Sequence, residues 1–181
     1  MNQSENNNAA NGTDEIYAAE IFTFDKLPEN LAELQARPEA SLKSAYKTTA
    51  LTMAALCSFE KNEDDVYEML DFLKGPDPLT AMEKQFLTDR LRGKAYKCRS
   101  FFEGAARDNN YTPKEPFRIT VIATPYSFAE ENWATLYVKS AGSDSPRPVK
   151  LRKKPSTGQW FLNEIQCLTD IRLPEDADPW A

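Results

Sequence analysis

Ser44-Ala45-Tyr46-Lys47 has the Ser-x-x-Lys spacing in which a lysine one helical turn away deprotonates a nucleophilic serine. The companion Ser-Asp-Asn and Lys-Thr-Gly elements are missing, and Lys47-Thr48-Thr49 does not replace them. The pair therefore reads as part of a polar helix face. Glu63, Asp64, Asp65, Glu68 and Asp71 place carboxylates on successive turns of one segment, a donor set that suits Mg²⁺ or Ca²⁺. A calcium loop needs its own spacing and a glycine, which are absent here. Acids at a helix start also meet the macrodipole favourably, so a solvated face is the expectation. The chain contains no histidine, which removes His-based triads, imidazole acid–base work and His metal sites. Six glycines form neither a dinucleotide fingerprint nor a P-loop. Paired carboxylates for glycoside hydrolysis meet only in three dimensions, and no local motif nominates a pair. Cys57, Cys98 and Cys167 lie far apart, with no zinc spacing or disulfide framework, and read as free thiols. No catalytic residue, metal ligand or cofactor is nominated.

One basic cluster stands out: Arg147, Lys150, Arg152, Lys153 and Lys154. With Trp133, Tyr137 and Trp160 on neighbouring strands, it would suit an acidic partner or a strand of nucleic acid. Lysines on a strand also guard an exposed sheet edge against pairing, the commoner use of such residues. The ligand or partner surface named from the sequence is Trp133, Tyr137, Arg147, Lys150, Arg152 and Trp160. The chain carries 22 basic and 28 acidic residues, a net charge of −6, which argues against general phosphate-driven nucleic-acid binding. The ending Leu173-Pro174-Glu175-Asp176-Ala177-Asp178-Pro179-Trp180-Ala181 is stiffened by two prolines. Its Trp180 is expected to fold back and bury its indole on the domain.

The elements that would position these groups follow from periodicity. Residues 1–13 are rich in Asn, Ser and Gly and read as a disordered tail. Apolar mass begins at Ile16, Tyr17, Ile21, Phe22 and Phe24. Four helical segments come next. Leu27, Leu31 and Leu34 repeat at helical spacing behind Pro28. From Ser41 to Phe59 the chain is apolar nearly all round between Ala50 and Cys57, the pattern of a central buried helix. Asn62 caps a third helix that ends at Gly75-Pro76. Thr80 with Glu83 forms a capping box for a fourth, stopped by Gly93. Residues 96–102 fit a strand or a short helix. After Pro116 the period becomes two: Phe117–Ala123, Trp133–Lys139, Val149–Arg152 and Gln159–Ile165 read as strands. Short turn-rich connectors join them into an antiparallel meander. The expectation is an α+β fold, in which an N-terminal helical part of about four helices (about 28–93) packs on a C-terminal four-stranded meander (about 117–165). It would form a single domain over 14–181, with an anchored tail at 172–181.

Several strings carry a family likeness: Met69-Leu70-Asp71-Phe72-Leu73-Lys74-Gly75-Pro76-Asp77-Pro78-Leu79, Phe102-Glu103-Gly104-Ala105, Asn110-Tyr111-Thr112-Pro113, Asp144-Ser145-Pro146-Arg147-Pro148-Val149 and Asp178-Pro179-Trp180-Ala181. Together they resemble an uncharacterised bacterial domain family of unknown function, common in anaerobic Firmicutes, from about residue 40 onward. The resemblance implies a bacterial cytosolic origin and transfers no residue role. MNQSENNNAANGTDE lacks the basic and apolar regions of a secretory signal, and no apolar run is long enough to span a bilayer. A cytoplasmic location is expected, with an unknown protein or small-molecule partner, no nucleic acid and no membrane. The leading functional reading is a non-enzymatic binding or interaction module, its contact surface the concave side of the sheet. The alternative is a small-molecule pocket, or an enzyme using Asp, Glu or Tyr, inside a cone-shaped α+β fold.

Overall fold

A computed structural model describes residues 18–181. The chain opens with strand β1 (Ala18–Phe24) and then runs through five α-helices, α1 (Leu31–Gln35), α2 (Ala45–Leu56), α3 (Glu63–Lys74), α4 (Ala81–Leu91) and α5 (Tyr96–Arg99). Four further strands follow: β2 (Phe117–Ala123), β3 (Trp133–Val138), β4 (Arg147–Lys154) and β5 (Gln159–Ile165). The sheet has five strands in the order β1-β2-β3-β4-β5, with every neighbouring pair antiparallel. This corrects the four-stranded expectation. An α+β arrangement holds, but a strand precedes the helices, and Ala18 to Phe24 pair in full register with Ala123 to Phe117. The missing strand has a local cause. Ile21 and Phe22 are adjacent apolar residues, so the period of two is blurred, and the partner strand lies beyond all the helices. The undecided segment near residue 96 is helical at Tyr96–Arg99. The Asn-rich stretch 1–13, with Ile16 and Tyr17, lies outside the described residues.

Local chemistry sets the helix limits. The expected helix at Ser41 begins only at Ala45, because Leu42 takes a positive φ of 56° and Ser44 becomes the cap, its hydroxyl accepting from the Tyr46 N–H. Asn62 accepts from the N–H groups of Asp64 and Asp65, and Thr80 with Glu83 closes the expected capping box. Helix α2 is the centre of the molecule. Every residue in it except Tyr46 and Lys47 is buried, and it contacts all five strands. Its threonines satisfy their hydroxyls on carbonyls, Thr49 on Ala45 at 2.9 Å and Thr52 on Thr48 at 2.8 Å. One core joins α2 to Leu70 and Leu73 of α3 and to the inward side chains of the sheet, such as Phe24, Val121, Leu136, Leu151 and Leu162.

The ending of the chain is held by Arg107. Its guanidinium pairs with Asp178 and, through Nε, donates to the Leu173 carbonyl at 2.9 Å. Trp180 does not join that contact: it is 93% exposed, which overturns the expected burial of its indole. No helix among the described residues is long and apolar enough to cross a membrane.

Candidate functional site

Alternation along the strands separates two faces. One is filled by α2. The other carries Trp133 and Tyr137 from β3 and Lys150, Arg152 and Lys154 from β4. Register confirms that these share a face, since Trp133 stands opposite Arg152 and Thr135 opposite Lys150. The Trp133 ring lies 5.0 Å from the Lys150 ammonium and 5.0 Å from the Arg152 guanidinium. Each such contact is worth about 0.5–1 kcal/mol at an exposed site, a bias toward this arrangement. Alternate residues of a strand are about 7 Å apart, so Lys150, Arg152 and Lys154 form a row about 14 Å long. The position of that row bears on the edge-guarding reading. β4 is paired on both sides, to β3 and to β5, and the sheet edges are β1 and β5. Cations on an internal strand guard no edge.

The six residues named from the sequence therefore divide. Trp133, Tyr137, Lys150 and Arg152 come together on the open face. Trp160 lies opposite Lys153 on the alternate face, its ring 5.7 Å edge-on from Phe128, which in turn meets Tyr46 at 6.2 Å. Arg147 turns to the segment after β5, donating to the Thr169 hydroxyl at 2.8 Å and standing 3.7 Å from the Asp170 carboxylate. Lys154, a member of the basic cluster though not of the six, belongs with the row, at period-two spacing from Lys150 and Arg152.

Ser44 spends its hydroxyl on the Tyr46 N–H, and no hydrogen bond joins it to Lys47. In the acidic segment, Glu63 forms a forked pair with Arg92, both bonds 2.8 Å, and Asp71 accepts from the Leu79 N–H. Among the described residues no group of histidine, cysteine and acidic side chains is arranged to hold a metal ion. Cys57 is half-buried; Cys98 and Cys167 are buried, and all three are free. Burial pushes the Cys167 thiol up to about 12, and its sulfur sits 3.7 Å from that of Met53. A thiol in that setting is a packing group rather than a nucleophile.

A second feature was not visible in the sequence. A groove of about 250 Å³ runs between α4 and the outer edge of β5, lined by Leu79, Met82, Phe86, Leu87, Leu162 and Ile165 with Lys74 and Glu83 at its wall. Small-molecule sites usually enclose about 300–1,000 Å³, so this one is below the size the pocket alternative requires. The buried Lys74 ammonium donates to Glu83 at 2.9 Å and to the Asn163 carbonyl at 3.0 Å. Burial pushes the Glu83 carboxyl up, but the Thr80 N–H, the Lys74 ammonium and the Thr80 hydroxyl together hold it below its ordinary value. A depressed carboxylate stabilises the fold above its unfolded pKa, and that contribution fades as pH falls through the folded value. Glu83→Gln keeps an N3 group able to close the capping box and removes only the charge that faces Lys74, so it is expected to cost a few tenths to about 1 kcal/mol at neutral pH. The gap from wild type should close in acid, as read by denaturant melts across a pH series.

Comparison with curated proteins gives no match, and comparison with solved structures gives none either. The model of one family, described as Domain of unknown function (DUF6935), matches residues 26–175, a stretch that takes in all five helices and the four strands β2 to β5, and the chain belongs to that family.

Proposed function

We propose that the chain is a non-enzymatic binding module that docks an acidic segment of a partner protein on the open face of its sheet. The observation that carries this is the row Lys150, Arg152 and Lys154, placed on an internal strand with the Trp133 ring in contact with two of its cations. A net charge of −6 makes such a patch a local exception, and an anionic segment of the right length meets it without facing a basic molecule as a whole. Nucleic acid suits it less, because the surrounding acidic field repels a continuous phosphate backbone. The setting proposed with it is one α+β domain of a bacterial cytoplasmic protein; the sequence likeness and the free thiols support that reading.

The test is a charge reversal. Wild type and the Lys150→Glu/Arg152→Glu variant are each immobilised and exposed to extract from the native cell at low and high salt. A partner retained by wild type at low salt, weakened by salt and absent from the variant is the expected result. Retention that is equal on both columns, or a wild-type column that holds nothing the variant lacks, overturns the proposal.

A further inference from the structure

We infer that the segment docked on the open face is extended, with carboxylates at alternate residues i, i+2 and i+4 and an apolar side chain at i+6. This rests on the acidic-segment reading and names the pattern that the face selects. Among the described residues, the side chains of Lys150, Arg152 and Lys154 make no ion pair and no hydrogen bond. Cations elsewhere on the molecule find acids, as Arg92 does on Glu63 and Arg172 on Asp144. In a chain with 28 acidic residues, three adjacent cations without a carboxylate partner are free for an outside anion.

Alternation along β4 sets the spacing. Lys154, Arg152, Lys150 and then Pro148 stand on the open face, each about 7 Å from the next. Every second side chain of an extended ligand repeats at the same interval, so three acids meet three cations without slipping. Carboxylates four residues apart on a helix repeat about every 6 Å, and the third falls about 2 Å short of the row.

The fourth position changes the chemistry. Pro148 is half-buried and stands opposite Tyr137, which in turn stands opposite Ile122. Ile122 is only 4% exposed although it lies outside the core built around α2, so this corner of the open face is apolar. A ligand side chain one strand repeat beyond Lys150 meets Pro148 and the Tyr137 ring. Thr135, short and opposite Lys150, separates Trp133 from Tyr137 on β3 and leaves the middle of the row open between two rings. Across from Lys150 on the other side is the exposed Glu164 of β5, a fixed acid that weakens the hold on the i+4 carboxylate.

The experiment measures fluorescence anisotropy of labelled synthetic peptides at low salt. The probe is Ser-Glu-Ser-Glu-Ser-Glu-Ser-Leu-Ser, used together with its reversed order, because either chain direction lays the same side chains on the row. Its isomers place the three glutamates consecutively, or move the leucine next to the middle glutamate. A longer peptide carries glutamates at every fourth residue of an alanine helix. The better of the two alternating peptides is expected to bind wild type about tenfold tighter than any of these, the combined effect of three exposed ion pairs and one apolar contact. Replacing its glutamate farthest from leucine by glutamine should cost about threefold on wild type and nothing further on Lys154→Gln, which fixes the register. Glu164→Gln should tighten binding. Equal binding of all the peptides, still lost on Lys150→Glu/Arg152→Glu, overturns the pattern and leaves the open-face reading standing. Preference for the helical peptide, or no binding of the alternating peptides to wild type, also overturns the inference; binding that survives on the charge-reversed variant counts against both.

Discussion

Gly75→Ala is expected to destabilise the fold by about 3 kcal/mol, the larger share coming from the backbone. Gly75 ends α3 with φ of 62° and ψ of −118°, a conformation closed to residues with a side chain. A Cβ built there also collides with the ring of Phe161 on β5. The tight turn brings the end of α3 against the edge strand, and it is what lets Lys74 reach the Asn163 carbonyl. The two parts of the cost are separable. In a double-mutant cycle with Phe161→Ala, removal of the ring should recover the collision and leave the backbone strain. Denaturant midpoints of the four proteins measure this. A Gly75→Ala protein as stable as wild type would contradict the account of the α3 terminus.

Met53→Ala should cost a similar amount, about 3 kcal/mol, for a different reason. Met53 is fully buried near the middle of α2, with its sulfur on that of Cys167. The sheet closes over one side of α2 and α3 over another, so the surroundings have little freedom to collapse into the space left. Chemical denaturation should show a lower midpoint with an unchanged slope. Ser44→Gly, by contrast, alters only a cap and should cost a few tenths of a kcal/mol.

The central helix was legible because Ala50 to Cys57 is apolar nearly all round, the pattern of a buried helix rather than a surface one. Strands β2 to β5 were legible because each alternates in register with short turns between them. β1 was not, since its inward residues are only Phe22 and Phe24 at one end, while Ala19, Glu20 and Ile21 are exposed. The cationic row could be read from its spacing, but whether β4 was an edge could not. That depends on β5 pairing with its far side, and strand order is a property of the whole sheet. Arg147 and Trp160 stand apart from the row for a related reason: nearness in sequence to Lys150 and Lys153 does not fix which face a side chain takes. The groove beside β5 had no sequence signal, because it arises from a bulge and from a lysine on another element reaching across to it. Trp180 shows the converse, an aromatic whose type invited burial and whose place in the fold denies it.

The most direct measurement of the proposed function compares two tryptophans. Wild type, Trp133→Ala and Trp180→Ala are immobilised at equal density, after melts confirm that all three are folded, and the partner retained from native extract at low salt is quantified. The open-face account predicts that Trp180→Ala retains it at the wild-type level and that Trp133→Ala loses at least about tenfold, the scale of a truncated aromatic hot spot. Full retention by Trp133→Ala, or loss confined to Trp180→Ala, would contradict it.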